Sequence, residues 1–433
     1  MIRILVTGLC TLHWGRLQFG NIGNYYIVEP LFRELHRVFP EAELVTTFQM
    51  TQEFAENEKI KILPMEWYYA WRENEIELAE KEYEAVLENK LEGFPYAEYV
   101  NTCQLIINVS GDMWGDNAEH VGHGRFLVDL YKMSIAQQLG KKTVLFGVTP
   151  GPFSEEETQI FAKQIFERFD LVINREPTSS YNMKKWGFSM DKVKDFACPA
   201  FLYQPQPVIQ RNDEFQRLLQ KIKGDTPIIG FTIGGFNMPI GPYDMWPRQE
   251  NQYTVFVEAI EYIINVCKAR LVLISHTNGF RLPPDFELIP GRDYPILKQL
   301  YEIVQQRGKL DNKEALIFIE EPYLPEITKL LIGQFDMMVT GRVHAFVAAV
   351  SQNVPTVCIN YEKSFIPSTK MYGFAKLTGK EEFVVDPRNK KELLNKIWEC
   401  YKNREEIRKE LKNRVPNVKD LARSAFDEMR GLL

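Results

Sequence analysis

Hydrophobic and polar positions alternate along this chain between two textures. Short continuous apolar runs at Ile2–Gly8, Ala42–Thr47, Leu105–Val109, Thr143–Val148 and Leu171–Asn174 read as strands buried on both faces. Between them, apolar residues recur at helical spacing. Tyr26–Val38 places Ile27, Leu31, Leu35 and Val38 on one stripe before Pro40 stops it. Arg125–Leu139, Glu155–Arg168 and Ser179–Trp186 follow the same rule, and Gly140 and Gly187 end the first and last of them. At Gln204–Gln210 the text turns to Gln-Pro-Gln-Pro, which marks a boundary. The pattern then restarts. Strands are expected at Pro227–Ile233, Arg270–Ser275, Ala315–Ile319, Met337–Thr340 and Thr356–Asn360, with helices at Tyr253–Lys268, Leu297–Arg307, Pro325–Gln334 and His344–Ser351. From Arg388 onward the chain reads as helical and basic. Two successive βα arrays predict an α/β protein of two Rossmann-like domains whose parallel sheets face a cleft. The expected boundaries are 1–205, 206–387 and a terminal helical segment 388–433.

Charge changes the picture in one place. The chain holds 52 basic and 58 acidic residues, a net −6, which argues against a general nucleic-acid binder. The segment Glu66–Glu92 holds nine glutamates against Arg72, Lys81 and Lys90, and so matches that whole excess. A solvated helix is expected there, leaving the loops elsewhere able to be cationic. Within it, Trp67-Tyr68-Tyr69-Ala70-Trp71 reads as helix core, with a sugar-stacking platform as the alternative. The six cysteines are scattered with no Cys-x-x-Cys pair, against both zinc ribbons and disulfide frameworks. His120 and His123 lack a third ligand at matching spacing, so no metal is expected. The opening residues read as a strand rather than a signal peptide, and no apolar run is long enough to span a membrane. The expectation is a soluble cytoplasmic protein.

In open α/β sheets, ligands sit beyond the carboxyl ends of the strands, so loops directly after strands hold the candidate chemistry. After Met337–Thr340 come Gly341, Arg342 and His344, and then a helix of small residues. Free N–H groups at a helix start, a guanidinium fork and an imidazole suit a phosphate or carboxylate. His276 follows another strand, as does Arg175 beside Glu176. Ser110-Gly111-Asp112 and Gly147-Val148-Thr149-Pro150-Gly151-Pro152 let backbone approach a ligand closely, and Asn21, Gly23 and Asn24 precede the first helix. Phosphate-binding P-loop, dinucleotide Gly-x-Gly-x-x-Gly and Gly-x-Ser-x-Gly elbow motifs are absent from the sequence.

Taken in order, these pieces resemble the polysaccharide pyruvyl transferase family over roughly Gly20 to Tyr361. Asn21-Ile22-Gly23-Asn24 resembles its Asn-x-Gly-Asp start, and Ser110-Gly111-Asp112 stands at its Gly-rich turn. Gly147–Pro152 is similar to its Gly-x-x-x-Gly-Pro loop, Asn174–Ser179 to its Arg-Asp/Glu-x-x-Ser turn, and Ala197–Phe201 to its Asp-Pro-Ala-Phe segment. Gly341-Arg342-Val343-His344-Ala345 resembles its Arg-Leu-His-Ala motif, with Asn353-Val354-Pro355 and Tyr361-Glu362-Lys363 after it. Asn24, Asp112 and Cys198 depart from the family pattern.

The resemblance implies a fold similar to GT-B glycosyltransferases and pyruvyl transfer from phosphoenolpyruvate to sugar hydroxyls, as a ketal, in cell-envelope polysaccharide biosynthesis. On that basis Arg175, Arg342 and Gly341 would bind the donor, with His344, Arg342 and His276 catalytic. Asn21, Gly23, Asn24, Ser110, Gly111, Asp112, Gly151 and Lys363 would line the acceptor side. Phosphoenolpyruvate is the donor substrate, no further cofactor is expected, and the acceptor is a glycan or lipid-linked sugar. The basic terminal helices allow peripheral contact with an anionic membrane. The alternatives are a nucleotide-sugar glycosyltransferase, with Glu320 and Glu321 near a ribose, and an inactive family member that only binds.

Overall fold

The computed structural model describes residues 2–10, 20–240, 245–281, 287–361 and 370–433. The chain divides into two compact units. The first holds residues 2–10, 28–199 and 420–433, and the second holds residues 20–27 and 200–419.

The first unit is built on a seven-stranded parallel sheet. In chain order its strands are β1 (Arg3–Thr7), β2 (Glu43–Thr46), β3 (Ile60–Ile62), β4 (Leu105–Asn108), β5 (Lys142–Val148), β6 (Leu171–Asn174) and β7 (Val193–Asp195). Across the sheet they run β3-β2-β1-β4-β5-β6-β7, so the winding reverses between β1 and β4. That pair is in register from Ile4 opposite Leu105 to Thr7 opposite Asn108. Ile4, Leu5, Val6, Ile106 and Ile107 are fully buried, as expected of strands covered on both faces. Helix Arg125–Gln138 packs against Glu75–Leu87 and Glu156–Arg168 in the layer on this sheet.

The second unit repeats the plan. Its strands are β8 (Ile228–Thr232), β9 (Arg270–Leu273), β12 (Leu316–Phe318), β13 (Met337–Thr340), β14 (Thr356–Ile359) and β15 (Val384–Val385). A small antiparallel hairpin, β10 (Asn278–Phe280) with β11 (Leu288–Pro290), stands apart from them. The six-stranded order β12-β9-β8-β13-β14-β15 reverses between β8 and β13. Each unit therefore has one switch point, beyond the ends of β1 and β4 and of β8 and β13, where a ligand site is expected.

Three expectations need correction. The Glu-rich helix covers Glu75–Leu87 rather than Glu66–Glu92, and it is not solvated all round. Glu75 and Glu82 are buried: Glu82 pairs with Lys132 and accepts from the Ala97 amide at 3.0 Å, while Glu75 accepts from the amides of Ala70 and Arg72. Composition counted the charges but could not show which face they occupy. Second, residues 388–433 do not form a piece of their own. Lys390–Lys402 packs on β13, β14 and β15, whereas residues 420–433 group with the first unit. Third, the first helix begins at Ile22, and residues 20–27 group with the second unit. In the aromatic run, Tyr68 and Tyr69 are buried, but only Met65–Trp67 is helical, as a single 3-10 turn.

Candidate functional site

At the switch point of the second unit, β13 ends at Thr340 and the chain turns through Gly341 and Arg342 into helix Val343–Val350. Fixing the turn, the Thr340 hydroxyl accepts from the Arg342 amide at 2.9 Å. Opposite it, β8 runs into Gly234. Asn237 ties the two ends together, accepting from the Gly234 amide at 2.9 Å and donating to the Gly341 carbonyl at 2.9 Å. A Cβ on Gly341 would collide with the Asn237 amide, so the close approach requires glycine there.

The Arg342 side chain turns onto Asp293, which is fully buried directly before helix Tyr294–Arg307. Nε of Arg342 donates to Oδ2 of Asp293 at 3.1 Å, and Nη2 donates to Oδ1. Two such parallel bonds fix the plane of the guanidinium. Asp293 also accepts from the His276 amide at 3.2 Å, and its own amide donates to the Thr277 hydroxyl at 3.0 Å. One carboxylate thus joins the loop after β9 to the loop after β13. The His276 ring is buried, and its Nε2 has no hydrogen-bond partner among the described residues. Burial, and then the positive charges of Arg342 and Lys329, push its pKa down to about 3, so the imidazole is neutral at physiological pH. Its ring meets Tyr26 edge-on at 5.6 Å.

His344 lies half-buried on the first turn of helix Val343–Val350. It packs directly on Gly23, where a Cβ would come within 2.5 Å of the imidazole Nδ1. Gly23 is held in turn by Asn21, whose Oδ1 accepts the Gly23 amide at 3.0 Å. Asn21 bridges to Thr277, and the Asn278 amide donates to the Gly20 carbonyl at 3.0 Å. The structure therefore brings Asn21, Gly23, Asn24, His276, Gly341, Arg342 and His344 into one unit.

Arg175 stands in the first unit with different partners. It is 2% exposed, its Nε donates to the Thr149 hydroxyl at 2.9 Å, and its Nη2 lies 3.8 Å from Asp112 Oδ1. Gly111, at φ +60°, lets the guanidinium lie close over the backbone: a Cβ there would stand 3.3 Å from Nη1. Glu176, next to Arg175 in sequence, has hydroxyl and amide partners of its own. It is buried and accepts from the hydroxyls of Thr178 and Ser179 and from the Thr178 amide. Burial pushes its carboxyl up against those bonds. Ser110 is spent internally, donating to Asn108 and accepting from the Leu9 amide at 3.2 Å. Gly151, at φ +86°, lies under the Trp186 ring, so it packs the loop rather than lining a surface. Glu320 and Glu321 are exposed after β12, at the edge of the second sheet and away from its switch point. Lys363 lies outside the described residues.

Sequence reasoning missed Asp293 and Asn237. Neither stands directly after a strand, which was the signal used to find the others.

Two doubly wound parallel sheets, each with its loops at a switch point, place the chain among α/β proteins of the Rossmann type. The chain belongs to the polysaccharide pyruvyl transferase family, whose model matches residues 21–363. It is 24% identical over 300 residues to the amylovoran biosynthesis protein AmsJ of Erwinia amylovora, covering 67% of each chain. Among solved structures it is similar to a UDP-GlcNAc 2-epimerase from Neisseria meningitidis, with TM-score 0.58, 12% identity and 99% of both chains covered. A glycosyltransferase from Rickettsia africae gives TM-score 0.58 at 12% identity, covering 99% of this chain and 97% of that one. Anabaena Alr3699/HepE, solved with UDP and glucose, gives 0.57 at 13%, covering 100% and 99%. At these identities the likeness is one of fold, and the fold is that of GT-B glycosyltransferases and epimerases. No described helix is long and apolar enough to cross a membrane.

Proposed function

We propose that this protein transfers a pyruvyl group from phosphoenolpyruvate to two hydroxyls of a glycan sugar, forming a ketal, and that the donor binds at the switch point of the second unit. Membership of the family supports the transfer. The observation that carries the site is the Arg342–Asp293 pair beside the start of helix Val343–Val350. Asp293 occupies the Nε and Nη2 edge, so the donor meets Arg342 at Nη1, with the first N–H groups of the helix alongside. Gly341 and Gly234 keep side chains out of that approach.

His344 is the general acid of this reading. Its proton goes to the methylene carbon of phosphoenolpyruvate, leaving a cationic carbon that the first sugar hydroxyl attacks. That hydroxyl's proton restores the acid. The C–O bond to phosphate then breaks, the second hydroxyl closes the ketal, and its proton leaves with phosphate. His276, neutral and buried, acts by holding the loop after β9 in place, since a base with a pKa of about 3 takes up few protons at neutral pH.

The test is phosphate release from phosphoenolpyruvate in the presence of candidate glycans. Release is expected in the wild type and lost in His344→Ala. Release that continues unchanged in the variant removes His344 from the acid role.

A further inference from the structure

The switch point of the first unit is held by a run of buried polar groups that the donor chemistry does not use. Helix Arg125–Gln138 carries Asp129, which is fully buried. Its carboxylate accepts from the Tyr68 hydroxyl, and from Nδ2 of Asn108 at 2.8 Å on Oδ1 and 3.1 Å on Oδ2. Asn108, the last residue of β4, passes the contact on. Its Oδ1 accepts from the Ser110 hydroxyl, and that hydroxyl accepts in turn from the Leu9 amide at 3.2 Å. Asn108 and Ser110 are fully buried, and Leu9 is nearly so. An unbroken run of hydrogen bonds thus joins one buried carboxylate to the loops after β1 and β4. Gly8, at φ +118°, makes room for it: a Cβ there would stand 2.9 Å from Oδ1 of Asn108.

An ionised carboxylate only accepts, so it fixes the sense of every bond beyond it. Asn108 turns Nδ2 toward Asp129 and Oδ1 toward Ser110, and the Ser110 hydroxyl then donates to Asn108 while a lone pair takes the Leu9 amide. A proton on Asp129 makes the carboxyl a donor. Asn108 then meets it with Oδ1, Nδ2 faces Ser110, and the Ser110 proton loses its acceptor. Burial raises the Asp129 pKa to about 6, against the bonds from Tyr68 and Asn108 and the positive charge of Arg125 one turn earlier. Among the described residues, Tyr68 and Tyr96 of helix Pro95–Asn101 also face it, and burial keeps both phenols neutral. The backbone of the loop after β4 is anchored separately, the Gly111 carbonyl accepting from the Thr149 amide at 2.8 Å. The polar run therefore sets the shape of that loop rather than its presence.

We infer that Asp129, as a carboxylate, is a positioning residue for the glycan: it orders this run of bonds and so holds Ser110-Gly111-Asp112 in the form that binds the acceptor. The assignment rests on the pyruvyl-transfer reading, which puts phosphoenolpyruvate at the switch point of the second unit and leaves that of the first for the glycan. The loop ends in Asp112, whose side chain is 30% exposed and lies 3.8 Å from Arg175. A carboxylate there accepts from sugar hydroxyls, and it does so best when the loop beneath it has one shape. Asp129 itself touches no substrate and acts through Asn108 and Ser110.

The experiment follows the full chain between pH 7.5 and pH 5 in two ways. Amide exchange, which needs no substrate, compares Leu9 with the amides of β4. With a pKa of about 6, roughly one Asp129 carboxyl in ten is still ionised at pH 5. Leu9 protection is therefore expected to fall at least tenfold on acidification of the wild type, and to be low at both pH values in Asp129→Asn. Phosphate release then gives the KM of the candidate glycan that supports it. That KM is expected to rise about tenfold at pH 5, as the competent fraction falls to about one tenth. In Asp129→Asn it is expected to stand at the raised value throughout, with the KM for phosphoenolpyruvate within twofold of wild type at each pH. Tyr68→Phe removes a donor that favours the charged carboxylate, so it should move the midpoint of both steps to higher pH. It decides the matter should Asp129→Asn not fold. A step that survives Asp129→Asn, or a midpoint unmoved by Tyr68→Phe, overturns the proposal. Leu9 protection that behaves as expected without phosphate release from any glycan faults the transfer reading alone. Release with a glycan KM blind to Asp129 faults the positioning role alone.

Discussion

Asp293 shows how a buried carboxylate can serve a cationic site. Fully buried and bonded to both Nε and Nη2 of Arg342, it gives up hydration to hold one guanidinium plane. Removing one partner of such a pair leaves a charge without its counterion in low dielectric, typically at a cost of about 3–5 kcal/mol. Asp293→Asn is therefore expected to lower stability in urea by roughly 3–5 kcal/mol and phosphate release by at least about tenfold. A loss under ~1 kcal/mol would show that the pair is dispensable to the fold. His276 works in the opposite sense. Its folded pKa of about 3 lies below the ordinary 6.5, so between those values the unfolded chain binds the extra proton. Stability then rises with pH across that window and is fully present only above 6.5. Going from pH 7 to pH 5 should cost about 2 kcal/mol at this residue. His276→Gln should shrink the wild-type difference in urea midpoint between pH 5 and pH 7, and an unchanged difference would mean that His276 is not the titrating group.

At the scale of elements, the decisive contact is between the start of one helix and the start of another. Gly23, on the first turn of Ile22–Val38, lies against His344 on the first turn of Val343–Val350. Alanine is a better helix former than glycine by about 1 kcal/mol, so propensity alone would make Gly23→Ala stabilising. Its Cβ, however, would stand 2.5 Å from Nδ1 and 2.7 Å from Cγ of His344. The expected outcome is a split: melting temperature within a few degrees of wild type, with phosphate release reduced tenfold or more. Activity retained in full would show that His344 has room to move without consequence. The same contact shows why only part of the site was legible in the sequence. Val-Ile-Leu runs and the Gly-Arg-Val-His-Ala motif announce β13 and its loop, because local burial and turn chemistry dictate them. That residues 20–27 join the second unit, or that Asp293 reaches Arg342 from 49 positions away, depends on tertiary pairing that no local pattern encodes. Glu75 and Glu82 make the same point in reverse. Their charge suggested solvent, yet each finds buried donors.

At the scale of the whole molecule, the two units are not two consecutive halves of the chain. Residues 20–27 belong to the second unit although the first unit surrounds them in sequence, and residues 420–433 return to the first. The return is built into the core of that unit. Phe426 is fully buried with its ring 4.9 Å from Phe146 of β5, and Asp427 and Glu428 pair with Arg37 and Lys194. The exposed ion pairs contribute little, typically ~0–1 kcal/mol each, so the apolar contact dominates. Phe426→Ala is expected to destabilise the protein by about 3–5 kcal/mol, the range for emptying a buried aromatic site. Deleting residues 420–433 should do more, since it bares the face of β5 that Phe426 covers. Residues 1–199 expressed alone lack that cover, and residues 200–419 expressed alone lack the turn that holds His344. Neither fragment should give a cooperative thermal transition, whereas the full chain should. A sharp transition from residues 1–199 alone would show that the first sheet is stable without its returning helix.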